Sequence, residues 1–170
     1  MSRLTVISGP PGAGKSTVSR LVAGALPRSV VIEGDEVYHM VAGGYVAPWL
    51  PGNHKALFWK NVCSLIRNGL ELGYDVVFNY VVTPQDAERL FGAFGPFTLA
   101  VLLPGEEELL RRDALRPEDC RMGERCRVVY GEFLRHSFPQ ECVLHTENET
   151  PEETARRVEK LPPWAGPGGK

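Results

Sequence analysis

No stretch of the 170 residues stays apolar over the roughly 20 positions a membrane-spanning helix requires, so a helical span is excluded. Cysteine is scarce. Cys63, Cys120, Cys126 and Cys142 form no CxxC pair, which argues against a disulfide-stapled scaffold and for reduced thiols. Cys120 and Cys126 are close enough in sequence for redox pairing or shared metal ligation. No second pair of suitably spaced ligands joins them, and the four histidines are scattered. An excess of one charge is missing too: 19 Lys and Arg against 21 Asp and Glu leave a net charge of −2. Overall electrostatics therefore gives no drive toward nucleic acid or an anionic membrane, and only a local basic patch could supply one. The N-terminus lacks the charged segment, apolar run and small-residue cleavage site of a secretory signal, so a cytoplasmic protein is expected. Internal repeats and inter-domain linkers are also absent.

What remains is the composition of one ordinary globular domain, 43% hydrophobic and 24% charged. Short β-branched runs alternate with amphipathic stretches. Leu4 to Ser8 reads as a strand. After a glycine-rich turn, Val18, Leu21, Val22, Ala25 and Leu26 fall on one helical stripe. Further strands are expected at Val30 to Ile32, Asp75 to Tyr80, Phe97 to Leu103 and Cys142 to His145. Helical stripes run through Phe58, Val62, Leu65, Ile66 and Leu70, and through Cys126, Val129, Tyr130, Phe133 and Leu134. Thr83-Pro84-Gln85-Asp86 and Thr150-Pro151-Glu152-Glu153 each offer a threonine cap, a proline at the first helical position and an acid at the third. Such alternation predicts an α/β fold, a three-layer sandwich with a five-stranded, mainly parallel sheet whose ligands collect at the carboxyl ends of its strands. One domain is expected over residues 1–161. The proline- and glycine-rich tail, 162–170, reads as a loose end.

Gly9-Pro10-Pro11-Gly12-Ala13-Gly14-Lys15-Ser16-Thr17 matches GxxxxGK[ST] between a strand and a helix, the context that gives this pattern physical meaning. Glycines let the backbone wrap a phosphate chain with its N–H groups inward, and the helix adds the positive end of its dipole. Lys15 is expected to reach the β- and γ-phosphates of ATP, and the Ser16 hydroxyl to ligate Mg²⁺. P-loops also serve switches and motors, so the rest of the chain must decide the activity.

Over nearly its whole length the chain resembles the P-loop small-molecule kinases of the nucleoside-kinase-like fold. This group, within the AAA-type P-loop superfamily, contains gluconate kinase, shikimate kinase and chloramphenicol phosphotransferase. The resemblance rests on the P-loop, on Glu33-Gly34-Asp35 ending the second strand, on the arginine-bearing segment Leu109 to Arg116, and on a last strand leading into a capped helix. It implies that Asp35 acts as base or Mg²⁺-water partner. It also implies that 109–125 form a lid bringing arginine to the transferring phosphate; Arg112 and Arg116, four residues apart and so expected on one helical face, rank above Arg111, and Arg125 is a weaker third candidate. The residue types fit: phosphoryl transfer needs a carboxylate to orient a hydroxyl and positive charge at the transition state. The structural alternatives are that Asp35 caps the following helix and that the arginines pair with Glu106, Glu107 and Glu108. One departure is Asn79, which ends the third strand where several such kinases place an acid.

Residues 37–55 form a long connection carrying Tyr38, His39, Gly43, Gly44, Tyr45, Trp49 and His54, and they are expected to bind the acceptor. Core packing accounts for such aromatics equally well. No arginine occurs between Arg28 and Arg67 to recognise a carboxylate, although Lys55, Lys60 or Arg67 could serve from the following helix; a neutral acceptor is equally compatible. The expected activity is ATP-dependent transfer to a hydroxyl of a small molecule. An acceptor-free NTPase and a nucleic-acid-end kinase are the competing readings, the latter disfavoured by the scattered basic residues.

Overall fold

The structure, a computed structural model, describes residues 2–118 and 121–168. Cys120, one of the two cysteines whose pairing the sequence disfavours, lies outside them. Strands β1 (Leu4–Ser8), β2 (Ser29–Glu33), β3 (Asp75–Asn79), β4 (Phe97–Leu102) and β5 (Val143–Leu144) form the sheet in the order β2-β3-β1-β4-β5. Every neighbouring pair on this path is parallel. Around it lie α1 (Lys15–Gly24), α2 (Gly34–Tyr38), α3 (Lys55–Glu71), α4 (Pro84–Phe94), α5 (Glu106–Ala114), α6 (Glu124–Arg135) and α7 (Pro151–Glu159). The expected α/β fold with a five-stranded parallel core is the observed one.

The period of two in the strands divides the core into two layers. Val6, Val76, Phe78, Leu99 and Val101 face α3 and α4, where they meet Phe58, Val62, Ile66 and Leu90. Ile7, Val77, Ala100 and Leu102 face the other way, onto Val18 and Val22 of α1, Leu109 of α5 and Val158 of α7. Central strands apolar on both faces are what a parallel sheet between two helical layers requires. Both threonine-proline starts form capping boxes, with Thr83 accepting from Asp86 N–H and Thr150 from Glu153 N–H. The expected strand from Cys142 to His145 shrinks to two residues because a 3-10 turn takes Gln140–Cys142.

That short β5 leaves the first half of β4's outer edge unpaired, and the tail covers it. Pro163–Trp164 form an antiparallel strand, β6, opposite Phe97 and Thr98. The Trp164 ring packs edge-on against Phe91 and Phe97, at centroid distances of 5.7 and 5.4 Å. The reading of 162–170 as a loose end is therefore corrected for these two residues. Their composition hid the pairing, because proline suits only an edge strand and Trp164 is the sole large apolar group there. Trp164→Ala should cost about 2 kcal/mol of stability, less than deleting a fully buried aromatic. Urea unfolding measures it, and an unchanged midpoint would mean the tail contributes nothing.

Candidate nucleotide and acceptor site

The phosphate loop follows from how tightly β1 is enclosed. As the chain leaves Ser8 it passes so close to β4 that a Cβ on Gly9 (φ 144°) would lie 2.3 Å from the Leu102 carbonyl oxygen. Gly14, at φ 90°, then caps α1 in the left-handed region, which an L side chain resists. Ser8, fully buried, fixes the base of the loop: its hydroxyl donates to Val82 O at 2.7 Å and accepts from Val82 N–H at 3.0 Å.

Within this loop Lys15 Nζ donates to the carbonyl oxygens of Gly9 and Pro10, both at 2.9 Å. Burial strips water from the ammonium and lowers its pKa to about 8; nearby Asp35 opposes the shift and Arg116 adds to it. Lys15, Asp35 and Arg116 thus share one electrostatic neighbourhood although they come from three separate segments.

Asp35 lies in the first turn of α2, exposed, and its carboxylate makes no hydrogen bond to another described residue. The helix-capping alternative is not seen; Glu33 occupies the N-cap position, itself without a side-chain cap bond. Asp35 faces tyrosines. Desolvation first, and then the Asp35 charge among others, push the Tyr80 phenol well above its ordinary pKa. Tyr45 is raised by desolvation, Tyr38 and Asp35. Gly34 makes room for this arrangement, since a Cβ there would lie 2.6 Å from the Tyr80 ring. Tyr80 was hidden in the sequence as the last residue of an expected core strand, which ends one residue earlier, at Asn79.

The connection at 37–55 is divided between packing and exposure. Tyr38 is buried; its hydroxyl donates to Val46 O at 2.9 Å and accepts from His54 N–H at 3.3 Å. His54 Nε2 in turn accepts from Val46 N–H at 2.7 Å, closing the lobe on itself. Tyr45 and Trp49 remain exposed, and the Arg125 guanidinium lies 5.2 Å from the Trp49 ring centroid. An arginine therefore does reach the lobe, from α6 rather than from the flanking sequence. Arg67 instead sits over Phe94, 5.9 Å from its centroid.

The carboxylate that meets Ser16 is that of Glu33, which accepts from Ser16 Oγ at 2.8 Å. Glu33 lies opposite Asn79 in the β2–β3 ladder. The acid missing from the end of β3 is thus present one strand over, a relation visible only once the register is known. Glu33 Oε1 and Asn79 Nδ2 are both enclosed without an aligned hydrogen-bond partner. An enclosed carboxylate oxygen beside the P-loop hydroxyl suits a hydrated divalent cation, which typically takes one or two protein oxygens along with phosphate oxygens; the Asn79 amide nitrogen is a donor and offers it no ligand.

Arg112 and Arg116 do not share a helical face, as their spacing suggested. Helix α5 ends at Ala114, and Arg116 N–H turns back to Asp113 O at 3.1 Å. Arg112 bonds Glu108 at 2.6 Å, Thr146 O at 3.2 Å and Ala13 O at 3.5 Å, so it spans from the lid segment to the P-loop. Beside it opens a cavity of about 510 Å³ lined by Gly14, Thr17, Arg112, Thr146 and Asn148, among others. Arg111 is occupied by Glu108, whose carboxyl hydrogen bonds from Arg111 and Arg112 hold at about 2. The ion-paired alternative therefore describes Arg111 in full and Arg112 in part. Buried Asp113 ties the end of α5 to the start of α6, accepting from Met122 N–H at 3.1 Å and Gly123 N–H at 2.8 Å. Burial raises its pKa, but these bonds outweigh it and the net shift is downward. Cys126 is buried against the Pro11 carbonyl and raised to about 11, first by burial and then by Asp113, which leaves it a thiol at neutral pH.

A model of the AAA domain family matches residues 4–129. The chain belongs to the AAA domain family. No curated protein sequence matches it. Solved structures give this AAA-family chain the P-loop kinase fold. A sugar kinase from Janibacter sp. HTCC2649 is 15% identical, with 95% of this chain and 94% of that one covered, at a TM-score of 0.73. The Mycobacterium tuberculosis APS kinase CysC, in complex with AMPPNP and APS, is 18% identical over 94% and 96% of the two chains, at a TM-score of 0.68. A chain of the Pnkp1/Rnl/Hen1 RNA repair complex is 15% identical; 99% of this chain but 50% of that one is covered, at a TM-score of 0.63.

The Lys15 environment carries a pH signature. A bound phosphate chain restores the ammonium, so above pH 8 nucleotide binding should take up a proton, and affinity should fall by up to about tenfold per pH unit. Below pH 8 Lys15 is already charged and the dependence should vanish. Titration calorimetry in buffers of different ionisation enthalpy tests this. Proton uptake persisting in Lys15→Ala would assign it to another group.

Proposed function

We propose that the chain is an ATP-dependent kinase that transfers the γ-phosphoryl group to a hydroxyl of a small molecule. The observation that carries this reading is Asp35: an exposed carboxylate without a hydrogen bond to another described residue, whose charge acts on Lys15 of the P-loop and on Tyr45 and Tyr80 alike. A switch or acceptor-free NTPase has no use for such a lobe.

In this reading the backbone N–H groups of 9–17 hold the phosphates and Lys15 exchanges its carbonyl partners for the β- and γ-oxygens. The cavity beside Arg112, within the size range of small-molecule sites, takes the base and ribose. Ser16 and Glu33 would hold Mg²⁺, and the ion would supply charge neutralisation on the phosphate oxygens. Asp35 is thereby left for the acceptor, a revision of its expected share in the metal site. It orients the hydroxyl and takes its proton as the acceptor oxygen bonds to the γ-phosphorus and the bond to the bridging oxygen of ADP breaks. Arg116, close enough to Lys15 to depress its pKa, is the arginine suited to charge developing on the phosphoryl group. Arg112 belongs with nucleotide binding instead. Residues 109–125 act as the lid and 37–55 as the acceptor lobe, joined by the contact of Arg125 with Trp49.

The test is incubation with Mg²⁺ and γ-labelled ATP against gluconate, shikimate, nucleosides, aminocyclitols, phenylpropanoid antibiotics and a short oligonucleotide. Label is expected on one small acceptor. Label on the oligonucleotide alone would favour a nucleic-acid-end kinase, and release only as free phosphate would favour an NTPase. Asp35→Asn should lower kcat about 10²- to 10⁴-fold with nucleotide affinity retained. Arg116→Ala should lower kcat about 10²-fold or more, whereas Arg112→Ala should mainly weaken nucleotide binding. Equal behaviour of the two arginine variants would contradict their separation.

A further inference from the structure

Glu33 is held unevenly. Its side chain is only 13% exposed; Oε2 accepts a well-formed bond from Ser16, while Oε1 is enclosed without an aligned donor. Arg20 Nη2 nevertheless lies 3.2 Å from Oε1, and the Arg20 side chain is 68% exposed. The distance satisfies an ion pair and the direction fails a hydrogen bond, so the contact is an electrostatic one that a better-placed cation can replace. Arg20 stands one turn beyond Ser16 on α1, so the same helix presents a hydroxyl and a guanidinium to one carboxylate. Across the ladder Asn79 offers Glu33 no charge. A carboxylate this enclosed is stabilised by a positive partner at its open oxygen.

We infer that Arg20 is a stand-in cation for Glu33: it neutralises the carboxylate in the metal-free chain and gives it up when Mg²⁺ arrives with nucleotide. The inference rests on the assignment of Mg²⁺ to Ser16 and Glu33 proposed above. Two cations compete for one carboxylate, and the one already mostly in solvent loses little by swinging away. Arg20 acts through Glu33 and is a positioning residue, keeping the acid aimed at Ser16 until the metal takes over. A loosely aligned pair with one partner mostly in solvent shifts an equilibrium by roughly two- to fivefold, which sets the size of the expected effect.

The experiment is the Mg²⁺ midpoint for binding a fluorescent, non-hydrolysable ATP analogue to the full chain, in wild type, Arg20→Gln, Glu33→Gln and the double variant. Arg20→Gln should lower the midpoint about two- to fivefold, and the shift should disappear in the Glu33→Gln background. It should also lower the melting temperature of the metal-free protein but not of the Mg²⁺- and nucleotide-loaded one. Arg20→Lys, which keeps the charge, should stay near wild type. An unchanged midpoint in Arg20→Gln, or an equal shift in both backgrounds, would overturn the inference; the second result would mean a through-space charge effect on the metal. If Glu33→Gln alone leaves the midpoint where it was, the Mg²⁺ assignment itself fails, an outcome distinct from failure of the Arg20 role.

Discussion

A lysine ammonium enclosed by main-chain oxygens at the carboxyl end of a parallel sheet is short of negative charge, and the rest of the site is organised around that shortage. Lys15 rests on the Gly9 and Pro10 carbonyls. Those oxygens can be there only because the chain leaves β1 against β4 at a separation that admits no side chain at residue 9. The approach is close because β1 is the central strand, apolar on both faces and clamped at its end by Ser8 and Val82. Packing of the core thus sets the geometry of the cradle, and the cradle sets the proton affinity of its lysine. A phosphate chain relieves the shortage better than any carbonyl, which is the physical reason for the loop to open to nucleotide.

Acidic groups around the loop differ in how far their charge is already used. Glu108 is committed to Arg111 and Arg112, and Asp113 to the backbone that starts α6. Glu33 is half committed, through Ser16 and a loosely aligned Arg20. Asp35 makes no hydrogen bond to another described residue. That order separates structural roles from the proposed chemical ones: the bonded carboxylates tie α5 to its neighbours, the half-bonded one suits the proposed metal, and the unbonded one the proposed acceptor. Arg112 and Arg116 divide in the same way. One bridges P-loop, lid and the loop after β5, and the other lies past the end of α5, near Lys15.

The sheet order was not legible in the sequence, but its parallel character was, because β-branched runs separated by amphipathic helices leave no other economical connection. The P-loop and both threonine caps could be read directly, since each lies in one short run of sequence, 9–17, 83–86 and 150–153. Whatever depended on register or distant segments escaped. Glu33 as the partner of Ser16 needed the β2–β3 register; Tyr80 beside Asp35 needed the glycine at 34; Arg125 over Trp49 needed the placement of α6. The arginines were misread for a local reason. Spacing of four implies one face only while a helix continues, and α5 stops at Ala114, just short of Leu115, Arg116 and Pro117.

A structure of the chain with Mg²⁺ and a non-hydrolysable ATP analogue tests the central claim most directly. Lys15 should leave the Gly9 and Pro10 carbonyls for the β- and γ-phosphates, with the base in the cavity beside Arg112 and the γ-phosphate turned toward Asp35. A nucleotide bound with Lys15 still on its carbonyls, or with Asp35 facing away from the γ-phosphate, would contradict the account.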